Sequence, residues 1–323
     1  MDTSQYIEEE VNDYKEKSYE LLDYIKVMCF SYLIAKKPLH IFEKDLKDKL
    51  NEYQKYGNKV LILSDKELND IITQEAQKNA IQSKIKPNKS ILNELKFELD
   101  TKSQIKANDR YYRIIKDFYK KTSKTLDKEY INETEYLSKK LTQYDKVEKV
   151  VPYHNKDGSV RAYFDIAGYN SMVYNTNLTS SAWNSSIESL EKMGNDLVYV
   201  PSHTFACPLC QEWQGKIYSL TGANKDYPRI DIALDGGLKH PNCKHVILGY
   251  WGQKETNKYN NAEWVEKYEA RQKKQALELQ KERLNNDKKI FKKLGNQEEV
   301  DKINAKIKTL NTSIKEQKKV MNG

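Results

Sequence analysis

Residues 203–245 decide the fold of this chain: they open with His203-Thr204-Phe205-Ala206-Cys207-Pro208-Leu209-Cys210 and close with His240-Pro241-Asn242-Cys243-Lys244-His245. Three of the four cysteines and three of the five histidines in the 323 residues lie in this stretch. The rest is rich in Lys, Glu, Asn and Tyr and has helical patterning. We therefore predict a mostly α protein with a small central α+β module, a long helical N-terminal region and a C-terminal helical hairpin.

Composition and hydropathy argue against a membrane-anchored or secreted protein and leave contact with nucleic acid open. Hydrophobic residues make up 38% and charged residues 32%, with a net charge of +8 that is dispersed along the chain. This charge permits contact with a nucleic-acid backbone, although charge of this kind more commonly belongs to a solvated helical surface. No run approaches the roughly 20 apolar residues that span a bilayer, and the N-terminus lacks the pattern of a signal peptide. We expect no membrane anchor and synthesis in a reducing cytoplasm.

Residues 1–150 are predicted to form helices separated by short breaks. The breaks are predicted at Lys37-Pro38, at Gly57 and near residues 86–88. Residues 64–67 (Ser-Asp-Lys-Glu) fit a capping box and predict a helix that starts there.

A long helical region follows the third break. Its apolar residues recur every three or four positions, which favours a buried core stripe over a nucleic-acid stacking surface; they are Leu92, Leu95, Leu99, Tyr111, Ile114, Ile115, Phe118 and Tyr119. Cys29 lies in an apolar helical patch and is predicted to be a buried small hydrophobe.

Residues 151–252 change in character and predict the module. Asp157-Gly158 indicates a hairpin turn, and a helix over 167–193 should end at Gly194. Three strands are predicted at residues 196–200, 216–220 and 246–250.

Residues 253–323 predict a C-terminal arm of two helices joined at Gly295-Asn296. Apolar residues of the second helix alternate spacings of three and four, which is typical of a coiled coil; they are Val300, Ile303, Ile307, Leu310 and Ile314.

The cysteines and histidines of the module are candidate ligands for one structural zinc ion. Zinc in structural sites takes four Cys or His ligands in a tetrahedron, and a two-residue gap lets both sulfurs of a pair face one ion. Three ligands would be Cys207, Cys210 and Cys243. The fourth would be His245, with His240 and then His203 as the alternates.

The same cysteines and histidines could also serve without a structural metal. They could form a reduced loop core in which histidines hydrogen-bond backbone carbonyls, or a redox pair. A thiol enzyme would use Cys243 with His203 or His240, and a zinc hydrolase would need Glu212 as its base. Because no supporting catalytic motif accompanies these residues, we expect no enzymatic activity and no catalytic residue.

Residues 150–252 resemble the phage minor capsid protein 2 family, relatives of the Mu F-like head morphogenesis proteins. The matching elements, in chain order, are Met193-Gly194, Asp196-Leu197-Val198, His203, Cys207-Pro208-Leu209-Cys210, residues 213–219 (Trp-Gln-Gly-Lys-Ile-Tyr-Ser), Tyr227-Pro228, Gly237-Leu238 and residues 240–245. The flanking helices agree in character and placement.

The resemblance implies a structural minor head protein of a tailed bacteriophage. Such a protein would be made in the host bacterial cytoplasm and incorporated at low copy into the virion, in the capsid interior near the portal vertex. Its partners would be the portal protein, the major capsid protein or both. It would act in head assembly, with DNA packaging or ejection as a further role. The alternative is a sequence-independent DNA-binding accessory protein that uses lysine pairs such as Lys288-Lys289 and Lys292-Lys293.

Overall fold

The computed structural model describes residues 3–82, 102–128, 131–154, 157–203, 206–252, 254 and 262–322. The helices in this part of the chain are α1 (Thr3–Ile34), α2 (Leu39–Gln82), α3 (Lys102–Leu126), α4 (Glu133–Val147), α5 (Ile166–Lys192), α6 (Pro208–Gln211), α7 (Ile230–Asp235), α8 (Ala262–Lys293) and α9 (Gln297–Asn322). The strands are β1 (Val151–His154), β2 (Val160–Phe164), β3 (Leu197–Val200), β4 (Lys216–Ser219) and β5 (Leu248–Gly249). This confirms the predicted class of a helical protein with a small strand-bearing module. Among the described helices, none is long and apolar enough to cross a membrane.

The described residues divide into two compact units. The module unit is formed from those within Met1–Asp13, Asn58–Asp100 and Met172–Tyr268, and the helical unit from those within Tyr14–Gly57, Thr101–Ser171 and Glu269–Gly323. This division does not follow the order of the chain. The three segments that we drew from the sequence, 1–150, 151–252 and 253–323, stay a prediction.

The aromatic residues of α3 lie in the core of the helical unit, as the sequence predicted. Tyr111 and Tyr119 have no exposed side-chain surface, and Tyr119 stacks on Phe42 with ring centroids 4.0 Å apart. Cys29 is fully buried in the same cluster, which confirms its predicted role as a small hydrophobe. Leu92, Leu95 and Leu99 lie outside the described residues.

The predicted breaks in the N-terminal region have mixed outcomes. The break at Lys37-Pro38 is confirmed, since α1 ends at Ile34 and α2 begins at Leu39. The break at Gly57 is wrong, because α2 continues through it: a Cβ there would lie 3.4 Å from the Tyr14 Oη, so this glycine allows close packing. The helix start predicted at residues 64–67 is also wrong, since these residues lie inside α2. The predicted break near residues 86–88 lies outside the described residues.

A three-stranded antiparallel sheet with strand order β4-β3-β5 forms the centre of the module unit. Val198 of β3 pairs with Tyr218 of β4 and with Gly249 of β5. Trp183 and Leu190 of α5 pack in the same buried cluster as β3. The predicted helix is confirmed as α5, which ends at Lys192, and Gly194 follows it with a φ of +66° that suits glycine. The third strand is shorter than predicted, because β5 contains two residues.

The helical unit also contains the predicted hairpin and the C-terminal pair of helices. Strands β1 and β2 are antiparallel and joined through Asp157-Gly158, which confirms the turn. The turn between α8 and α9 contains Gly295, with a φ of +70°, and Asn296, whose side chain accepts from the Glu299 N–H at 3.2 Å. The coiled-coil character of α9 stays a prediction.

Candidate metal centre

Two tight turns with the same spacing of candidate ligands carry four of them. In the first turn, residues 207–210, the Cys210 N–H donates to the Cys207 carbonyl at 2.9 Å. In the second turn, residues 240–243, the Cys243 N–H donates to the His240 carbonyl at 2.8 Å. Both turns have proline in their second position, where its fixed φ favours the bend. Each turn thus presents its first and fourth side chains on a short, rigid backbone.

The two turns meet through their side chains, although 33 residues separate each pair. The Cys207 Sγ lies 2.9 Å from the His240 Nε2, and the Cys210 Sγ lies 3.7 Å from the Cys243 Sγ. The Nδ1 of His245 also lies 3.7 Å from the Cys243 Sγ. The structure therefore brings together all four ligands of the preferred set and the first alternate.

These donors form two overlapping groups. Cys207, Cys210 and His240 make one group, and the other combines Cys210 with Cys243 and His245. In each group the ligand atoms lie within 4.8 Å of one another. Cys210 belongs to both groups and is the centre of the cluster.

Both histidines direct an unprotonated ring nitrogen at a sulfur when they are neutral. The His240 Nδ1 lies 2.7 Å from the Pro241 carbonyl, which can only accept, so Nδ1 carries the hydrogen and Nε2 faces Cys207. The His245 Nε2 lies 3.1 Å from the Gln214 Oε1, which also accepts from the His203 N–H. This leaves the His245 Nδ1 facing Cys243. A hydrogen bond on the far nitrogen is how metal-binding histidines are usually oriented.

Because three sulfurs lie close together, the pKa values of the cysteines and of His240 are shifted from their ordinary values. The pKa of Cys207 is lowered to about 4, mainly by a hydrogen bond with Cys210 and to a smaller extent by one with His240. The pKa of Cys243 is also lowered to about 4, mainly by a hydrogen bond with Cys210 and to a smaller extent by one with His245. The hydrogen bonds with these two sulfurs raise the pKa of Cys210, and the hydrogen bond with Cys207 raises the pKa of His240 to about 9. The three thiols therefore ionise as one coupled group, in which Cys207 and Cys243 lose a proton more readily than Cys210.

Helix α5 holds the second turn in place through side chains that the sequence patterns did not identify. The Asn175 Nδ2 and the Thr179 Oγ1 each donate to the Cys243 carbonyl at 3.0 Å. The Trp183 Nε1 donates to the His245 carbonyl at 2.8 Å. These three residues are spaced by four, so they lie on one face of α5. Polar residues at that spacing on an otherwise buried face are the signal that could have identified them.

The donors differ in burial, and two of the other residues that were considered lie outside the donor groups. Cys210, Cys243 and His245 are 1%, 3% and 2% exposed, whereas Cys207 and His240 are half-buried. Glu212, the candidate base, is exposed and belongs to neither donor group. The second alternate, His203, also lies outside those groups and instead packs against the His245 ring, with centroids 4.1 Å apart.

Comparison with known proteins gives one match. A family model described as phage minor capsid protein 2 matches residues 44–317, which is more than four fifths of the chain. No curated protein and no solved structure matches the chain.

Proposed function

This chain belongs to the phage minor capsid protein 2 family, and we propose that it is a low-copy head protein which docks at the portal vertex of a tailed phage and acts in head assembly. The observation that carries the proposal is the extent of the family match. Residues 44–317 include the Cys/His cluster together with most of the helices on either side of it. The resemblance that we found in residues 150–252 thus extends to the arms, and membership in a capsid family is confirmed.

Shielding of the cluster supports a structural role over catalysis. A nucleophile or a metal-bound water must be reached by a substrate, whereas Cys210 and Cys243 are almost completely buried. The carbonyl of Cys243 is held by two side chains of α5, so the second turn is fixed on the helix. A rigid cluster with Cys210 and Cys243 at its buried centre is suited to stabilising the module.

The long helices support a role in docking on other head proteins. Buried residues of α9 such as Val300, Ile303 and Ile314 form a narrow stripe, and most of the other residues of this helix are exposed and polar. Charged helices of this kind commonly form contacts between subunits. The portal protein and the major capsid protein are the partners that we propose. Contact with packaged DNA, and a part in packaging or ejection, would follow from this location and stay secondary proposals.

Quantitative mass spectrometry of purified procapsids and virions tests the proposal. We expect the chain in both particles at a small number of copies, comparable with that of the portal protein and far below that of the major capsid protein. Absence from both particles would contradict the proposal. A copy number equal to that of the major capsid protein would also contradict a role at a single vertex.

A further inference from the structure

We propose that the two turns together bind one zinc ion through Cys207, Cys210, His240 and Cys243. This inference concerns the architecture of the module and does not depend on the proposed function. It rests on three observations: the matching ligand spacing of the turns, the pairing of their side chains, and the orientation of the His240 ring.

The matching spacing supplies the ligands in two pairs. Structural zinc sites take their ligands from short turns in which the first and fourth residues face the ion. The first turn offers Cys207 and Cys210, and the second offers His240 and Cys243. Both turns close with a short backbone hydrogen bond, at 2.9 and 2.8 Å, although their backbones differ: residues 208–211 form the helix α6, whereas Asn242 has a φ of +68°.

The distance between the nearest sulfurs of the two turns suits a tetrahedral ion, although the four proposed ligands are divided between the two donor groups that share Cys210. An ion bound by all four would draw Cys243 towards Cys207 and His240. With Zn–S bonds of about 2.3 Å, two sulfurs on one tetrahedral ion lie about 3.8 Å apart. The Sγ atoms of Cys210 and Cys243 are 3.7 Å apart. Cys207 and His240 are closer, at 2.9 Å, which is the distance of a direct hydrogen bond. An ion placed between them would replace the shared proton and widen this pair by roughly 0.6 Å, to the ~3.5 Å expected of a sulfur and a nitrogen on one ion.

His240 is assigned in preference to His245, which reverses the order drawn from the sequence. His240 is the first residue of a turn, the position that Cys207 occupies in the first turn, and its Nε2 faces Cys207 directly. His245 lies two residues beyond Cys243, outside the turn, and its Nδ1 is 3.7 Å from the Cys243 Sγ, which is farther than the His240 Nε2 is from Cys207. Its Nε2 is held by Gln214, and its ring packs against His203. We assign His245 a positioning role beside the Cys243 sulfur.

A bound ion would cross-link distant parts of the module. The chain between Cys210 and His240 includes β4 and α7, and β4 pairs with β3 along its length. Closing this loop through a metal lowers the conformational entropy of the unfolded chain, as a disulfide does. A thiolate cluster bound to zinc achieves this in a reducing compartment, where disulfides do not persist.

Metal analysis and cobalt substitution of the full chain test the assignment. Protein purified without chelator should contain about one zinc per chain, and the Co²⁺ form should show the absorption of tetrahedral thiolate coordination. His240→Gln should weaken zinc binding by more than the ~10–100-fold typical of a residue that only orients a ligand. His245→Gln should stay within that range, and the exposed His154→Gln serves as the matched control. Failure of the wild-type chain to bind zinc or Co²⁺ would overturn the proposal, as would a larger loss for His245→Gln than for His240→Gln.

A second measurement avoids variants that fail to fold. Alkylation of the wild-type chain, followed by mass spectrometry, compares protein with zinc and protein treated with a chelator. We expect zinc to protect Cys207, Cys210 and Cys243, while the fully buried Cys29 stays unreactive in both samples. Equal reactivity of Cys207 with and without zinc would contradict the site.

Discussion

The side-chain amide of Asn175 donates a 3.0 Å hydrogen bond to the backbone carbonyl of Cys243, 68 residues later in the chain. Thr179, one helical turn further along α5, donates to the same oxygen. Helix α5 therefore fixes the second turn before any ion is considered. The stability of the module and the geometry of the cluster should depend on the same two side chains.

Removing both donors should destabilise the module more than removing either one. The Cys243 carbonyl keeps one partner in Asn175→Ala or Thr179→Val, whereas the double variant leaves it buried and unpaired. We expect each single change to cost about 1 kcal/mol and the pair an additional ~1–3 kcal/mol. Hydrogen exchange of peptides from residues 240–249 measures this. Thr176→Val, at an exposed position on the same helix, is the matched control. Additive effects of the two single changes would count against a shared acceptor.

The carboxyl group of Glu148 should make the helical unit less stable as the pH rises. Burial raises the pKa of Glu148 to about 8 from an ordinary value of 4.5. Between these values the folded chain holds a proton that the unfolded chain has lost. The contribution of Glu148 to the free energy of unfolding therefore falls across this interval, by on the order of a few kcal/mol. The charges that act on this carboxyl group include Lys26, Asp145, Asp165 and Arg283.

Glu148→Gln tests this directly, because glutamine does not titrate. Denaturant unfolding at pH 5 and pH 8 should show the variant gaining stability relative to the wild type at the higher pH. Glu16→Gln, at an exposed position of α1, should leave the pH dependence unchanged. Parallel stability curves for Glu148→Gln and the wild type would show that this group does not account for the effect.

Lys26 is a buried cation whose removal should be costly. Its side chain is 3% exposed, and its Nζ lies 2.7 Å from Asp145 and 2.6 Å from Asp287. Lys26→Met removes the cation that lies between two neighbouring carboxylates, for which we expect a loss of about 3 kcal/mol. The triple variant Lys26→Met/Asp145→Asn/Asp287→Asn should recover most of it. Lys121→Met breaks the exposed pair with Asp117 and should change the free energy of unfolding by less than ~1 kcal/mol. A similar small loss for Lys26→Met would show that the two carboxylates do not need this cation.

Gly236 is required by the close approach of the Trp213 ring. A Cβ at this position would lie 2.0 Å from the ring, and the Trp213 Nε1 donates to the Gly236 carbonyl at 3.1 Å. Gly236→Ala should displace the indole and cost about 1–3 kcal/mol, observable as a lower unfolding temperature with altered tryptophan fluorescence. Gly194→Asn, at a position with open space and a φ that asparagine tolerates, should have a smaller effect. Unchanged fluorescence in Gly236→Ala would show that the ring does not pack there.

The module could be predicted from the sequence because its signals are local. Gly194 follows an apolar helical pattern, and alternating residues in 196–200 and 216–220 define β3 and β4. The Cys-x-x-Cys spacing identified the first turn for the same reason. The tertiary pairing of Cys207 with His240 depends on the path of the intervening loop, and no pattern within either turn specifies it.

Local signals were misleading where tertiary packing overrode them. Gly57 and residues 64–67 have the composition of a helix end and a helix start, yet α2 passes through both. Gly57 lies inside the helix because its close contact with the Tyr14 ring leaves little room for a side chain. Leu61 and Leu68 are both buried, so one apolar stripe continues across the helix start that was predicted at residues 64–67. The roles of Asn175 and Thr179 were missed because a hydrogen bond to a carbonyl 64 or more residues away has no local signature.

Cross-linking mass spectrometry of intact procapsids tests the central claim most directly. Because lysines are frequent and dispersed along the chain, a lysine-reactive reagent samples most of its surface. We predict cross-links from this chain to the portal protein. Any cross-links to the major capsid protein should be confined to those of its residues that face the portal vertex. Cross-links to major capsid protein alone, spread over its whole sequence, would contradict a portal-vertex protein.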